Sequence, residues 1–413
     1  LRALRSVIAA LVLLRACERK RLALSASVIC GTVRAKKRKE RAMTTPSTIP
    51  VLDLADLSSR DPSVRAAAAE AIRVGYGHFG LLYIKGHGID PTALDAFYDS
   101  FVGFCSKSEA EKRRFSRDDL WYQRGWTPPN TEQAVVAGGQ PDFKECYFAA
   151  PEAFHRRDQT LYPQIYADNV WPEDLPAFRS GLMSIGHQLH VIGLQVLKGC
   201  ASALRLPEET FTKLTDNGPH ITRALRYLPL TAEQVGTDIL WGEEHTDFNL
   251  LTLLPGGRFL DPSGKTCKKP DEKSGLFLRT RPTKDNPDGE LVAGTPPPGC
   301  IVSQVGQQLE ILTGGRLTAT PHVITAPNVP GYSRLSMAHF VHVHTDTVLF
   351  PLESFCDETT VRAYGPPVLS GTYAIKTLVD IALAPKSALD RLGYRHYDRL
   401  ADIRARESQD SSK

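Results

Sequence analysis

The stretch Trp241–Pro255, WGEEHTDFNLLTLLP, decides how the rest of the chain is read. Asn249–Pro255 is an apolar run closed by a proline, the mark of a buried strand. Just ahead of it, His245 and Asp247 stand two residues apart. On a strand or strand end, side chains at that spacing leave from one face. A second histidine from elsewhere in the chain would complete a three-ligand face on one metal ion. Two imidazoles and one carboxylate, with the remaining positions open, suit non-haem Fe(II) that must bind oxygen and a substrate. His322, in the run PHVITAP, is the candidate for that third ligand. Two plainer readings compete: H-x-D arises by chance, and a lone histidine on an apolar strand is more often packed in a core than bound to metal.

A second pair follows the same rule. Arg334 and Ser336, in GYSRLSMAHF, are two apart on an expected strand and so share a face. A guanidinium offers a bidentate fork to a carboxylate, and a serine hydroxyl adds a hydrogen bond. The apolar run beside Arg334 favours burial, and a buried arginine wants a carboxylate partner. The competing reading is a surface arginine on an edge strand.

These motifs, in this order, resemble the 2-oxoglutarate/Fe(II)-dependent dioxygenases, in the subgroup of isopenicillin N synthase and the plant flavonoid and gibberellin oxygenases. WGEEHTDFNLLTLLP resembles their iron-binding strand, and GCIVSQVGQQLEILTGGRLTATPHVI their run into the second histidine. GYSRLSMAHF matches their R-x-S element, and GYGHFGLLYIKGHGID their N-terminal signature. The resemblance spans Ile49 to Leu352. It implies an α+β protein with a mainly β core: a double-stranded β-helix, or jelly roll, preceded by a helical and mixed region and followed by a C-terminal helix. It implies that His245, Asp247 and His322 hold Fe(II), and that 2-oxoglutarate chelates the metal through its 1-carboxylate and 2-keto oxygen. Arg334 and Ser336 would then take its distal carboxylate, with Tyr227 of ALRYLPL contacting co-substrate or substrate, and ascorbate would serve as reductant. The expected partners are O2 and a small organic molecule, which is hydroxylated, desaturated or cyclised as succinate and CO2 are released. Two other readings stay open on the motifs: an oxidase of the same fold that does without 2-oxoglutarate, and a ligand-binding protein without turnover.

Composition sets bounds. The chain has 413 residues, 42% apolar and 23% charged, with eight cysteines. No run of 18 apolar residues suggests a membrane span. The cysteines show neither C-x-x-C pairs nor a tight framework, so reduced thiols in an intracellular protein are expected. Residues 1–42 hold twelve Lys/Arg against Glu18 and Glu40, a net of +10, while the whole chain is +4, so residues 43–413 carry −6. The basic balance therefore belongs to an extension, and the remaining body gives no reason to expect nucleic-acid binding. That extension reads as non-native, as a transit segment, or as a signal-peptide core at VIAALVLL; a cytoplasmic or organelle-targeted monomer is expected.

The expected layout is 1–42 extension, 43–215 N-terminal region, 216–350 β-helix and 351–413 helical tail. Ile49–Leu57 reads as a short strand, and Ser63–Val74 as a helix opened by Asp61-Pro62. A helix from Pro91 to Phe104 carries Leu94, Phe97, Tyr98, Phe101 and Phe104 on one face, a core stripe. Tyr122, Arg124, Trp126 and Phe143 are candidate substrate contacts, with loop packing the competing reading. Phe178–Leu204 reads as a long helix bearing His187 and His190 at i, i+3, a weak metal pair without a carboxylate. From His220 to Phe350 roughly eight short strands are expected, LEILTGG among them. Gln307 reads as structural. His342 and His344 read as pocket-lining or surface residues rather than a second metal site. Gly257–Gly275 reads as an exposed Lys-rich loop that either covers the site or decorates it. Deleting residues 1–42 should leave the melting temperature and metal binding unchanged; an insoluble or metal-free product would show that the fold starts earlier.

Overall fold

The computed structural model describes residues 48–133, 142–237, 239, 241–280 and 289–391. The expectations for residues 1–42 and for the last residues of the tail lie outside these. Two sheets pack face to face. The larger runs, in spatial order, through β1 (Val51–Asp53), β2 (Leu81–Lys85), β12 (Ile301–Val305), β7 (Leu251–Leu254), β14 (Ser333–Val341), β5 (Ile221–Tyr227), β4 (Lys144–Ala149) and β3 (Gly125–Thr127). Two further strands, β8 (Gly257–Leu260) and β9 (Thr266–Cys267), join it at β14. The smaller sheet runs β11 (Leu291–Ala293), β10 (Gly275–Arg279), β13 (His322–Thr325), β6 (Gly242–His245). A short pair, β15 (Val348–Leu349) and β16 (Val368–Leu369), stands apart. Among the described residues every strand pairing is antiparallel except β1 with β2. This is the jelly roll.

Period-2 alternation sorts the side chains of the large sheet into two cores. Leu335, Met337 and Val341 of β14, Ala224 of β5 and Leu251 and Leu253 of β7 face a helical layer. Ala338 of β14, Leu225 and Tyr227 of β5 and Val302 of β12 face the smaller sheet, where they meet Leu276, Leu278 and Ile324. The helical layer comprises α1 (Pro62–Val74), capped by Asp61 as expected, α2 (Pro91–Cys105) and α3 (Pro176–Ala203). The aromatic stripe of α2 is buried, and Phe97, Phe101 and Phe104 stack on Phe178 of α3 with centroids 6.0, 5.7 and 5.6 Å away. Burying a ring of this size contributes on the order of 1.5–3 kcal/mol.

Three expectations need correcting. Only Val51–Asp53 of the first run is strand; Asp53 then caps a helical turn over Leu54–Leu57. LEILTGG is not a strand: Gln307–Leu312 is a helix, α4, burying Leu309 and Leu312 three residues apart. The Asp247 and Asn249 carbonyls fix its start by accepting from the Gln307 and Gln308 amides at 2.8 and 3.0 Å. Gly306 permits this approach, because a Cβ there would lie 2.0 Å from the Asn249 oxygen. Gly257–Gly275 is not all loop either, since Gly257–Leu260 pairs with Ser333–Ser336 of β14. Among the described residues Cys105, Cys146, Cys200, Cys267 and Cys300 are in no disulfide. No helix among the described residues is long and apolar enough to cross a membrane.

Beneath the large sheet lies a chain of buried histidines. His190 Nδ1 is 3.3 Å from His339 Nε2, and His339 Nδ1 is 3.0 Å from Thr222 Oγ1. The His342 amide donates to His220 Nδ1 at 3.1 Å. Burial pushes His220 and His339 well below the usual imidazole range, lowers His190, and takes His342 down to about 3. All four are neutral in the fold at pH 7. The unfolded chain binds protons at these sites near pH 6.5 while the folded chain does not, so stability is retained above that pH and lost below it. Each such group contributes up to about 1.4 kcal/mol per pH unit in that window. The urea midpoint should therefore fall steeply from pH 7 to pH 5.5; a flat profile there would mean that these rings are not held neutral.

Candidate metal centre and its cavities

His245 ends β6 and His322 begins β13, and the two face each other in the ladder. Directly opposed residues bring their side chains together; the rings lie with centroids 4.4 Å apart. Asp247 follows on the loop after β6. Its Oδ1 is 3.7 Å from His245 Nε2 and 3.9 Å from His322 Nε2. The three donor atoms all lie within 4.8 Å of one another. Among the described residues no other three His, Cys, Asp or Glu side chains converge this closely, the 187/190 and 342/344 histidines included.

The protonation states suit a cation. His245 Nδ1 lies 2.6 Å from the Glu243 carbonyl, so it donates there and leaves the Nε2 lone pair free. Burial, reinforced by His245 alongside, pushes His322 down to about 4. Burial opposes ionisation of Asp247, but His322, His245 and a hydrogen bond from Thr252 outweigh it and hold the carboxyl below its usual range. A neutral His322 and an ionised Asp247 are donor states that suit a divalent ion.

The loop carrying Thr246 and Asp247 is braced from behind. Gln307 donates its backbone amide to the Asp247 carbonyl at 2.8 Å and its Nε2 to Thr246 Oγ1 at 2.6 Å. Its Oε1 accepts from the hydroxyl of Tyr373 on α5 (Ser370–Asp380), the C-terminal helix. Thr252 donates to Asp247 Oδ2 at 2.7 Å.

Two cavities meet at the triad. The smaller, of about 80 Å³, runs between the sheets from His245, Asp247 and His322 to Arg334, Ser336 and Tyr227. Arg334 lies 5.5 Å from the Tyr227 ring and 5.9 Å from that of Phe259. Among the described residues it has no carboxylate partner. Tyr227 is its neighbour in the β5–β14 ladder. Gly257 makes room for the guanidinium: a Cβ there would be 2.8 Å from an Arg334 terminal nitrogen.

The larger cavity, of about 310 Å³, opens on the other side of the triad and is bounded by α5. Between the two cavities sits an ionic cluster that the sequence reading missed. Lys144 Nζ is 2.8 Å from Glu132 and also pairs with Asp142, while Arg223 donates to Glu132 at 2.8 Å. Burial opposes the Glu132 charge, but Arg223 and Lys144 win and bring it down to about 2. Arg223 is wedged against Phe148 and Phe340, 4.4 and 5.5 Å from their ring centres. The available signal was its spacing: Arg223, Leu225 and Tyr227 alternate onto the inner face.

The four proposed substrate contacts fare unevenly. The Arg124 guanidinium borders the larger cavity but bonds three backbone carbonyls, of Gln123, Ile165 and Ala167. Trp126 is buried and donates to Glu145 at 2.9 Å, so it is structural. Phe143 packs on the inner core and Tyr122 on the α5 cluster. Among the two late histidines, His342 lines the larger cavity, whereas His344 lies 3.3 Å from Asp158.

Comparison with known proteins agrees with this geometry. Residues 49–174 match the model of the non-haem dioxygenase N-terminal region named for morphine synthesis, and residues 219–343 match that of the 2OG-Fe(II) oxygenase superfamily. A homoarginine-6-hydroxylase from Glycine max is 24% identical over 75% of this chain and 89% of its own length. Proline hydroxylase buaE from Petromyces alliaceus is 27% identical over 78% of this chain and 98% of its own. A 2OG-Fe(II) oxygenase family protein from Caulobacter crescentus superposes with a TM-score of 0.64, at 25% identity over 81% of this chain and 100% of its own. A full-length Neurospora crassa protein solved with alpha-KG shares the fold at 21% identity, with a TM-score of 0.64 over 80% of this chain and 96% of its own. Both family matches fall in order on the elements that build this centre, so the chain belongs to the 2OG-Fe(II) oxygenase superfamily and is a 2-oxoglutarate- and Fe(II)-dependent oxygenase acting with O2 on a small molecule.

Proposed function

We propose that His245, Asp247 and His322 are the iron ligands, that Arg334 and Ser336, flanked by Tyr227, seat the distal carboxylate of 2-oxoglutarate, and that the larger cavity takes the primary substrate. The observation that carries this is the smaller cavity, which has the triad at one end and an arginine without a carboxylate partner at the other. Bound Fe(II) supplies the redox chemistry that couples conversion of 2-oxoglutarate to succinate and CO2 with oxidation of the substrate. The protein's own part is to orient and to shield. The β5–β14 ladder sets the distance from arginine to triad, the apolar strands between the sheets exclude water, and the braced loop holds the Asp247 carboxylate on the histidines. Relatives named for homoarginine and proline hydroxylation support hydroxylation of a small polar molecule as the outcome. Ascorbate serves as the reductant, and the protein works as a cytoplasmic monomer without nucleic-acid or membrane partners. Residues 43–215, 216–350 and 351–413 form its N-terminal region, β-helix and tail.

Asp247→Ala removes the only carboxylate of the triad. It should abolish turnover and weaken Fe(II) binding, whereas His187→Ala, whose ring is half-exposed beside Glu152 at 3.1 Å, should do neither. Metal content after dialysis checks this, and loss of iron from His187→Ala equal to that from His322→Ala would sink the ligand assignment.

Arg334→Lys keeps the charge but forfeits the planar fork. Losing one hydrogen bond to a charged group costs about 1.5–3 kcal/mol, a roughly tenfold to hundredfold weaker hold on 2-oxoglutarate. Fe(II) affinity without co-substrate should stay within a few fold. Anaerobic titration of 2-oxoglutarate, followed by its visible charge-transfer band, reads both quantities; unchanged co-substrate affinity would move Arg334 to the primary substrate or to the fold.

A further inference from the structure

In the wall of the larger cavity every charge but one is paired among the described residues. Glu132 holds Arg223 and Lys144, Lys144 also holds Asp142, and Asp380 holds Lys376. Arg124 is satisfied by backbone carbonyls, and Asp247 belongs to the triad. The exception is Glu243, which lines this cavity half-buried and whose carboxylate has no hydrogen-bond or ion-pair partner.

Its aim follows from a bulge in the backbone. His322 pairs with His245 and Ile324 with Gly242, so two residues of β6, Glu243 and Glu244, stand opposite Val323 alone. Such a bulge re-aims a side chain, and bulges gather beside active sites. Here Glu244 pairs with Arg279 at 2.9 Å, and Glu243 borders the cavity, two residues from a triad histidine. Its amide is fixed by Asp142 at 3.3 Å and its carbonyl by His245 at 2.6 Å. The carboxylate is therefore carried on backbone pinned at both ends.

Among the described residues the cations of this wall are already engaged. Both terminal nitrogens of Arg223 are held by Glu132, and its unpartnered Nε is buried out of reach. Lys144 is engaged by two carboxylates. The rest of the wall is largely apolar, with Phe148, Ile221, Phe248, Phe340, Leu378 and Ile381. A half-buried carboxylate on a residue that lines such a surface lacks, among the described residues, the partner that buried charges require.

We infer that Glu243 receives a cationic nitrogen of the primary substrate, so that the substrate class is a small molecule bearing a protonated amine or guanidinium on a mainly apolar frame. This rests on the reading of the larger cavity as the substrate site.

The test uses the full chain loaded with Zn(II) and 2-oxoglutarate, and saturation-transfer NMR with hexylamine, hexylguanidinium, hexanol and hexanoate as matched probes. The two cations should bind best. Glu243→Gln, isosteric and neutral, should weaken them about tenfold or more, the loss expected for a hydrogen bond between charged partners. Glu243→Lys should turn the preference toward hexanoate. An unchanged melting temperature shows that each variant is folded. Equal or better binding of hexanol or hexanoate by the unmodified protein, or cation binding that survives Glu243→Gln, overturns the inference. The signal of 2-oxoglutarate itself reports separately on the co-substrate site, so its absence would sink that assignment while the amine comparison still reads Glu243.

Discussion

Seven consecutive residue pairs join β5 to β14, from Tyr227 opposite Arg334 to Ile221 opposite Phe340. On its other edge β14 is held twice, by β7 at Leu251–Leu253 and by β8 at Gly257–Leu260. A slip of one residue would turn Arg334, Ser336, Ala338 and Phe340 toward the helices and bring Leu335, Met337 and Val341 inward. With neighbours fixed on both sides that slip is closed off. The inner face therefore carries a fixed sequence: a cation and a hydroxyl at one end, small and aromatic residues next, and the triad across the gap. Cavity shape, the span from Arg334 to the triad and the place of Arg223 all inherit this register.

The ionic cluster between the cavities is expensive in isolation, because each charge has left water. Its members compensate one another: two carboxylates and two cations meet, and the Arg223 fork is packed between rings. Removing a single member of such a group leaves a buried charge and typically costs about 3–5 kcal/mol. A cluster of this kind adds little to stability compared with apolar packing. What it does here is place fixed dipoles between the two cavities that meet at the triad.

Much of this was legible in the sequence, and the reasons are local. The convergence of His245, Asp247 and His322 could be anticipated because His245 and Asp247 are two residues apart at a strand end, and because the surrounding run resembles a known family. The aromatic stripe of α2 showed through its period. Other features depend on partners far along the chain. LEILTGG carries leucines that suit either period, and only the Asp247 and Asn249 carbonyls, some 60 residues earlier, choose helix. Gly257–Leu260 looks like the start of a polar loop, yet the free edge of β14 draws it into the sheet. The Glu132–Lys144–Arg223 cluster joins three elements with no common motif. Glu243 was invisible as a site residue because the bulge that aims it exists only once β6 and β13 are paired.

Gln307 holds the ligand loop with two donors and is itself held by Tyr373 on the C-terminal helix. This gives the order of synthesis a structural meaning. When the ribosome has made both β6 and β13, His245, Asp247 and His322 are already present, yet the loop still lacks its last brace. That brace arrives only when residue 373 has been made and α5 has docked. The triad's final geometry is thus reserved for a chain made past residue 373, and a product terminated before it carries the three side chains without the frame that aligns them.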